Sequence, residues 1–148
     1  MLIYGFMGGL FQIVYTSTAA DSFSREELME LLKGSVKRNA QAAITGLLLY
    51  QDGTFMQALE GEEEAVIRLF AKISRDPRHH HVIPLMHEPI ENRHFPNSAM
   101  AFRDLDAPEL RNMPGYSEFL NTPLSGDLLV NDIPKCQRLL LLFKKNIR

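Results

Sequence analysis

Residues 44–60 read ITGLLLYQDGTFMQALE, and this stretch decides the fold. Residues 44–50 are a nearly continuous apolar run, residues 54–60 are a second strand-like segment, and Gln51-Asp52-Gly53 separates them. Asp-Gly between two such runs predicts a hairpin, because its residues tolerate the positive φ that a tight turn between twisted strands demands. In the second strand Phe55, Gln57 and Leu59 share one face, while Thr54, Met56, Ala58 and Glu60 form the opposite and more polar face.

Towards the N-terminus, Ser24-Arg25-Glu26-Glu27 is a capping box, with a hydroxyl for the first orphan amides and a glutamate three residues on. Leu28, Leu31, Leu32 and Val36 then fall on one helical stripe, predicting a helix to about Arg38. Ahead of it, residues 10–16 (LFQIVYT) are rich in β-formers, with Phe11, Ile13 and Tyr15 on one face and Gln12 and Thr16 on the other. Towards the C-terminus, residues 62–75 (EEEAVIRLFAKISR) open with three glutamates at the positive end of a helix dipole and carry a helical apolar pattern that stops before Pro77. Residues 81–90 read as a further strand, tolerable for Pro84 mainly at a sheet edge, and residues 99–102 as a short fifth strand.

Strand, helix, hairpin, helix, strand is the βαββαβ order of a ferredoxin-like α+β sandwich. With the short fifth strand the order is βαββαββ, and both helices lie on one face of the sheet. Beyond residue 102, Pro108, Pro114, Gly115, Pro123, Gly126 and Pro134 punctuate short helical pieces. Residues 135–145 (KCQRLLLLFKK) are an apolar run with basic ends, expected as a terminal helix covering the open face of the sheet or serving self-association.

The chain has 148 residues, 45% hydrophobic, with a formal net charge of -2, which describes one compact domain and offers nucleic acid no electrostatic footprint. The single cysteine, Cys136, excludes an internal disulfide and a cysteine-based zinc site, and no cleavable signal peptide is visible, so a reducing cytoplasm is the expected location. No apolar stretch approaches the roughly 20 residues of a membrane span. The division expected is an N-terminal extension (1–9), a sensor domain (10–102) and a helical C-terminal extension (103–148).

Function is sought where residues break the packing pattern. Gln57 and Tyr15 both lie on otherwise apolar faces, so an amide and a phenol point inward and need partners. Asn39 sits just past the first predicted helix. Taken singly, these are a glutamine at a frayed register, a tyrosine bonded to backbone and a C-cap residue. Taken together, they converge between the two helices in a pocket with few polar groups and much apolar wall, the usual form of a small-molecule or cofactor site.

The strings Ile13-Val14-Tyr15-Thr16-Ser17, Arg38-Asn39, Ile44-Thr45-Gly46-Leu47-Leu48-Leu49-Tyr50, Phe55-Met56-Gln57-Ala58-Leu59-Glu60-Gly61, Arg75-Asp76-Pro77-Arg78-His79 and Phe95-Pro96 occur in this order. In order and spacing they resemble the BLUF family of blue-light sensors using FAD, from about residue 10 to residue 102. The resemblance implies a flavin held noncovalently between the two helices: FAD, with FMN or riboflavin as alternatives. In such proteins the tyrosine matching Tyr15 gives an electron and then a proton to the excited flavin, and the glutamine matching Gln57 carries the proton and is left rearranged. An amide suits that task, because it both donates and accepts, and inverting it reverses a hydrogen-bond chain without changing net charge.

By the same resemblance Asn39 anchors the pyrimidine edge of the ring, Ser35 places a hydroxyl near it, and Arg38 contacts flavin O2. Leu31 and Ile73 sandwich the ring, and Lys72, Arg78 and His79 are basic groups near the ribityl phosphates. In many members a tryptophan stands two residues before a methionine in the last short strand. Here Met100 matches the methionine, but Ser98 takes the tryptophan position and the chain has no tryptophan. Met100 alone, or a different contact, is therefore expected to relay the signal.

Residues 103–148 are too few for an enzymatic effector, so the chain is expected not to be an enzyme. Its output is expected through a homo-oligomer, a dimer or larger, or through a separate effector protein. Two alternatives stand beside this reading. A light-inactive relative could keep the fold as an interaction module, against which the joint presence of Tyr15, Gln57 and Asn39 counts. An acylphosphatase-like hydrolase would need a phosphate-cradling loop with an arginine, and residues 18–22 (TAADS) supply neither glycine nor arginine. Arg78-His79-His80-His81 is expected as a solvated turn rather than a metal site, because adjacent histidines do not converge on one ion.

Overall fold

The computed structural model describes residues 9–20, 24–96, 101–104 and 135–146. The strands are β1 (Leu10–Ala19), β2 (Thr45–Gln51), β3 (Thr54–Glu62), β4 (His79–Pro89) and β5 (Ala101–Asp104). The helices are α1 (Arg25–Gln41), α2 (Glu63–Arg75) and α3 (Lys135–Asn146). One sheet runs in the order β4-β1-β3-β2-β5, with β5 parallel to β2 and the other pairs antiparallel. This is the ferredoxin-like α+β arrangement, two interleaved βαβ units with α1 and α2 on the same face.

Local chemistry sets the element ends. At the β2–β3 hairpin Asp52 has φ 51° and Gly53 φ 76°, as a two-residue turn with both centres left-handed requires. Ser24 caps α1 as expected: its hydroxyl accepts from the Glu27 amide at 3.1 Å, and its own amide donates to Glu27 Oε1 at 2.8 Å. α2 has no side-chain cap, but Glu63 and Glu64 occupy its first turn and Lys72 and Arg75 its last, complementing the dipole. β4 is an edge strand, which accommodates Pro84, and its pairing with β1 is twice irregular. His81, at φ 53°, sits in one of those irregularities. A Cβ at Gly61 would come within 3.2 Å of the Ala43 carbonyl oxygen, so any side chain there would press the α1–β2 connection back by a few tenths of an ångström.

The sheet separates two cores. On the helix side Phe11, Ile13, Tyr15, Phe55 and Leu59 pack with Leu28, Leu31 and Leu32 of α1 and Val66 of α2. On the far side Val14, Leu47, Leu49, Met56, Ala58 and Met86 pack with Phe95 and Leu140, so α3 covers the open face.

Several sequence expectations need correction. α1 continues past Arg38, so Asn39 lies inside its last turn and Ala42 is the C-cap. The far face of β3 is not polar: Met56, Ala58 and Glu60 are all buried there, because Phe95 and α3 roof it. β4 begins at His79 rather than residue 81, and β5 (Ala101–Asp104) runs two residues past the expected end at 102, while residues 99 and 100 lie outside the described residues. Residues 78–81 are therefore not a simple solvated turn; His79 is buried and His80 and His81 are exposed strand residues.

Candidate functional site

Tyr15 and Gln57 stand opposite each other in the β1–β3 ladder, side chains toward the helices. The fully buried Tyr15 hydroxyl donates to Gln57 Oε1. Burial, reinforced by the nearby negative charge of Asp76, holds the phenol far above its ordinary pKa, so it stays a proton donor. The Tyr15 ring packs on Phe70 of α2, with ring centroids 5.5 Å apart.

Above this pair a narrow cleft of about 40 Å³ opens between α1 and α2. Leu31, Ser35, Arg38 and Asn39 line it from α1, and Leu69 and Ile73 from α2. Tyr15, Leu48 and Gln57 form its floor, and Asp76, Arg78 and His79 close one end. A second cleft of about 140 Å³ shares Arg38, Asn39 and Leu69 with the first, and Arg68 and Lys72 join its walls.

Nine of the ten cofactor-contact residues expected from sequence thus line one cleft, and Lys72 lines its neighbour. Ser98 and Met100 lie outside the described residues. His79 lines the end of the cleft. It is buried, with its Nδ1 2.8 Å from the Ser17 hydroxyl and its ring centroid 5.1 Å from that of Phe55. Desolvation depresses its pKa, with the Asp76 charge acting against that shift, so it is a neutral neighbour of Tyr15.

Sequence reading assigned no role to Leu48, Leu69, Asp76 or Ser17. For Asp76 the signal was an acid two residues before an arginine. Arg78 Nη2 donates to Asp76 Oδ2 at 2.7 Å, Arg78 Nε lies 3.1 and 3.2 Å from the two carboxylate oxygens, and the Arg78 amide donates to Oδ1 at 2.9 Å. The guanidinium beside it holds the Asp76 carboxyl below the usual range, and the Arg78 pKa is raised in return.

The cleft suits a flat ligand with one polar edge and an anionic tail. Apolar side chains from two helices can clamp both faces, while Asn39, Gln57 and Tyr15 offer directional polar contacts at the floor. Arg38, Arg68 and Lys72 gather positive charge at the more open cleft. These are the features a noncovalent flavin requires, and the residues present fit one.

The profile of the BLUF family, "Sensors of blue-light using FAD", matches residues 10–101. A photoactivated adenylate cyclase subunit beta of Euglena longa is 42% identical over 84 residues, 57% of this chain and 10% of that protein. The blue light- and temperature-regulated antirepressor BluF of Escherichia coli (strain K12) is 32% identical over 93 residues, covering 63% of this chain and 23% of the relative. The chain spans about a tenth of the length of the cyclase relatives it matches. Among solved structures, the dark state of BlrB, a BLUF protein, superimposes with a TM-score of 0.68 at 31% identity, over 93% of this chain and 99% of that one. The Tyr15–Gln57 floor, the cleft between two helices and a profile match over more than half the chain lead to one family: the protein belongs to the BLUF sensors of blue light, with flavin as its cofactor.

Proposed function

We propose that this chain is a photoreceptor whose switch is the Tyr15–Gln57 hydrogen bond. The observation that carries the reading is that bond, on the floor of a cleft fit for a flavin. Bound flavin supplies absorption of blue light and an excited state that takes up an electron. Tyr15 is the electron source within the cleft and, held protonated by burial, is also the proton source. Its hydroxyl already donates to Gln57 Oε1, so the proton path begins at that oxygen. Gln57 can then invert or tautomerise, presenting a donor where it had an acceptor, and the new hydrogen-bond pattern is the stored signal.

Asn39, Ser35 and Arg38 hold the polar edge of the ring in this scheme, Leu31 and Ile73 clamp its faces, and Lys72 and Arg78 serve the anionic tail. FAD is the cofactor assigned; FMN or riboflavin would fill the ring site equally. His79 keeps Tyr15 in an apolar, uncharged setting. Output passes from the far face of the sheet through the C-terminal region to a second copy of the chain or to a separate effector. The chain itself carries no reaction on a substrate and works in the cytoplasm. No helix among the described residues is long and apolar enough to cross a membrane.

The test is an absorption spectrum of the purified protein, loaded with FAD if colourless, in the dark, under blue light and after a dark interval. A small red shift without bleaching that then recovers is the expected result. A bound flavin that never shifts overturns the sensor reading, and a protein that cannot be loaded with flavin leaves an interaction module.

A further inference from the structure

Three residues along the same ladder from the Tyr15–Gln57 pair, Gln12 of β1 stands opposite Glu60 of β3. Three steps of a strand are about 10 Å, and an odd number of steps places the second pair on the opposite face. Both side chains are fully buried there. Gln12 Nε2 donates to Glu60 Oε2 at 2.7 Å, a short bond to a carboxylate.

Glu60 also fastens the segment that follows β4. The backbone amide of His94 lies 2.9 Å from each carboxylate oxygen, and that of Phe95 donates to Oε1 at 3.0 Å. Phe95 is itself buried in the far-side core with Leu140 of α3. Arg93 ties the same segment to the sheet with its own donors, to Thr45 Oγ1 at 2.8 Å, the Glu60 carbonyl at 3.1 Å and the Ala43 carbonyl at 2.8 Å. One buried carboxylate therefore holds a ladder glutamine on one side and two consecutive backbone amides on the other.

Two donors compete for that carboxylate. His94 Nδ1 lies 3.4 Å from Glu60 Oε2 and 3.2 Å from Gln12 Nε2, so the three groups form a triangle in which the amide donates one hydrogen to the acid and the other to the ring nitrogen. If the amide withdraws, the ring in its Nδ1–H tautomer can donate to the carboxylate in its place. Gln12 Oε1 is buried with no hydrogen-bond partner among the described residues, so this arrangement leaves the amide half satisfied and lowers the cost of leaving it.

We propose that Gln12, Glu60 and His94 form a second amide switch on the output face, which converts a change at Tyr15–Gln57 into a change in how Glu60 holds residues 94 and 95. Gln12 and Glu60 act as positioning residues, and the proposal rests on the photoreceptor reading. The coupling is mechanical: β1 and β3 are one ladder, so any slide or twist of one strand against the other at Tyr15–Gln57 reaches the Gln12–Glu60 bond. A bond so short loses strength steeply when it is lengthened or bent, and the competing ring then gains the carboxylate.

The experiment measures backbone amide exchange of His94 and Phe95 in the flavin-loaded protein, dark and under blue light, for the parent, Gln12→Met and Glu60→Gln. Gln12→Met keeps side-chain length and removes the amide, so it tests the switch even if Glu60→Gln fails to fold. The parent is expected to show a lit-to-dark difference at both amides, and Gln12→Met to lose that difference while keeping the flavin red shift. A merely structural role would raise exchange equally in dark and light and leave the ratio standing, and that result overturns the proposal. A parent that red-shifts without any lit-to-dark difference at His94 and Phe95 also overturns it and leaves the sensor reading intact. A parent that binds flavin and never red-shifts removes the sensor reading, and this proposal with it.

Discussion

Tyr15 and Gln57 are direct partners across the β1–β3 ladder, and the phenol of one donates to the amide oxygen of the other. Strand pairing holds the register of the two strands, so the primary change lies in side-chain torsions and proton positions, and only a small twist is passed along the ladder. That is a suitable place to store a signal, because a glutamine can exchange its donor and acceptor ends while both strands keep their register.

Tyr15→Phe keeps the ring packed on Phe70 and removes only the hydroxyl. The variant is expected to bind flavin, to lose the light-induced red shift, and to be less stable by about 1–2 kcal/mol, the cost of one buried hydrogen bond. Lit-minus-dark spectra and chemical denaturation check the two parts separately.

Ser24→Ala removes half of the capping box that starts α1, the helix that supplies Leu31, Ser35, Arg38 and Asn39 to the cleft. A loss of about 1 kcal/mol is expected in denaturant titration. The red shift should survive, since the cap touches neither Tyr15 nor Gln57.

Burial depresses the pKa of His79 below its ordinary 6.5. The unfolded chain then takes up a proton that the folded chain refuses, so the stability is complete above 6.5 and is lost as pH falls below it. Unfolding free energy is expected to drop as pH falls below 6.5, and His79→Phe to show a shallower drop over the same range. An identical slope in both proteins would assign the effect to other groups.

Leu140 is the fully buried residue through which α3 joins the far-side core. Leu140→Ala should cost about 2–5 kcal/mol by cavity formation. The flavin cleft lies across the sheet, so the dark spectrum is expected to be unchanged, and thermal denaturation followed by flavin release measures the loss.

The helix-side half of the molecule was legible in the sequence because its signals are local. The Asp52-Gly53 turn, the Ser24/Glu27 box and the placement of Tyr15 and Gln57 on apolar faces depend on neighbours a few residues apart. The far face was misread because its cover is distant in sequence. Met56, Ala58 and Glu60 look half-polar along β3 and become core only when Phe95 and Leu140 arrive. Asn39 was set outside α1 for a similar reason: the residue that turns the chain is Ala43, at φ 57°, and alanine gives no sign of a left-handed conformation. For His79 the resemblance implies only a basic group near the phosphates, and no local signal marks its burial. Its burial against Phe55 and its contact with Ser17 exist only once β4 pairs with β1.

The central claim is that Gln57 is the element that changes. The most direct measurement is the dark and blue-lit absorption spectrum of flavin-loaded Gln57→Leu beside the parent. The expected result is a reversible red shift in the parent and none in the variant, with flavin bound in both. An equal red shift in Gln57→Leu would contradict the account.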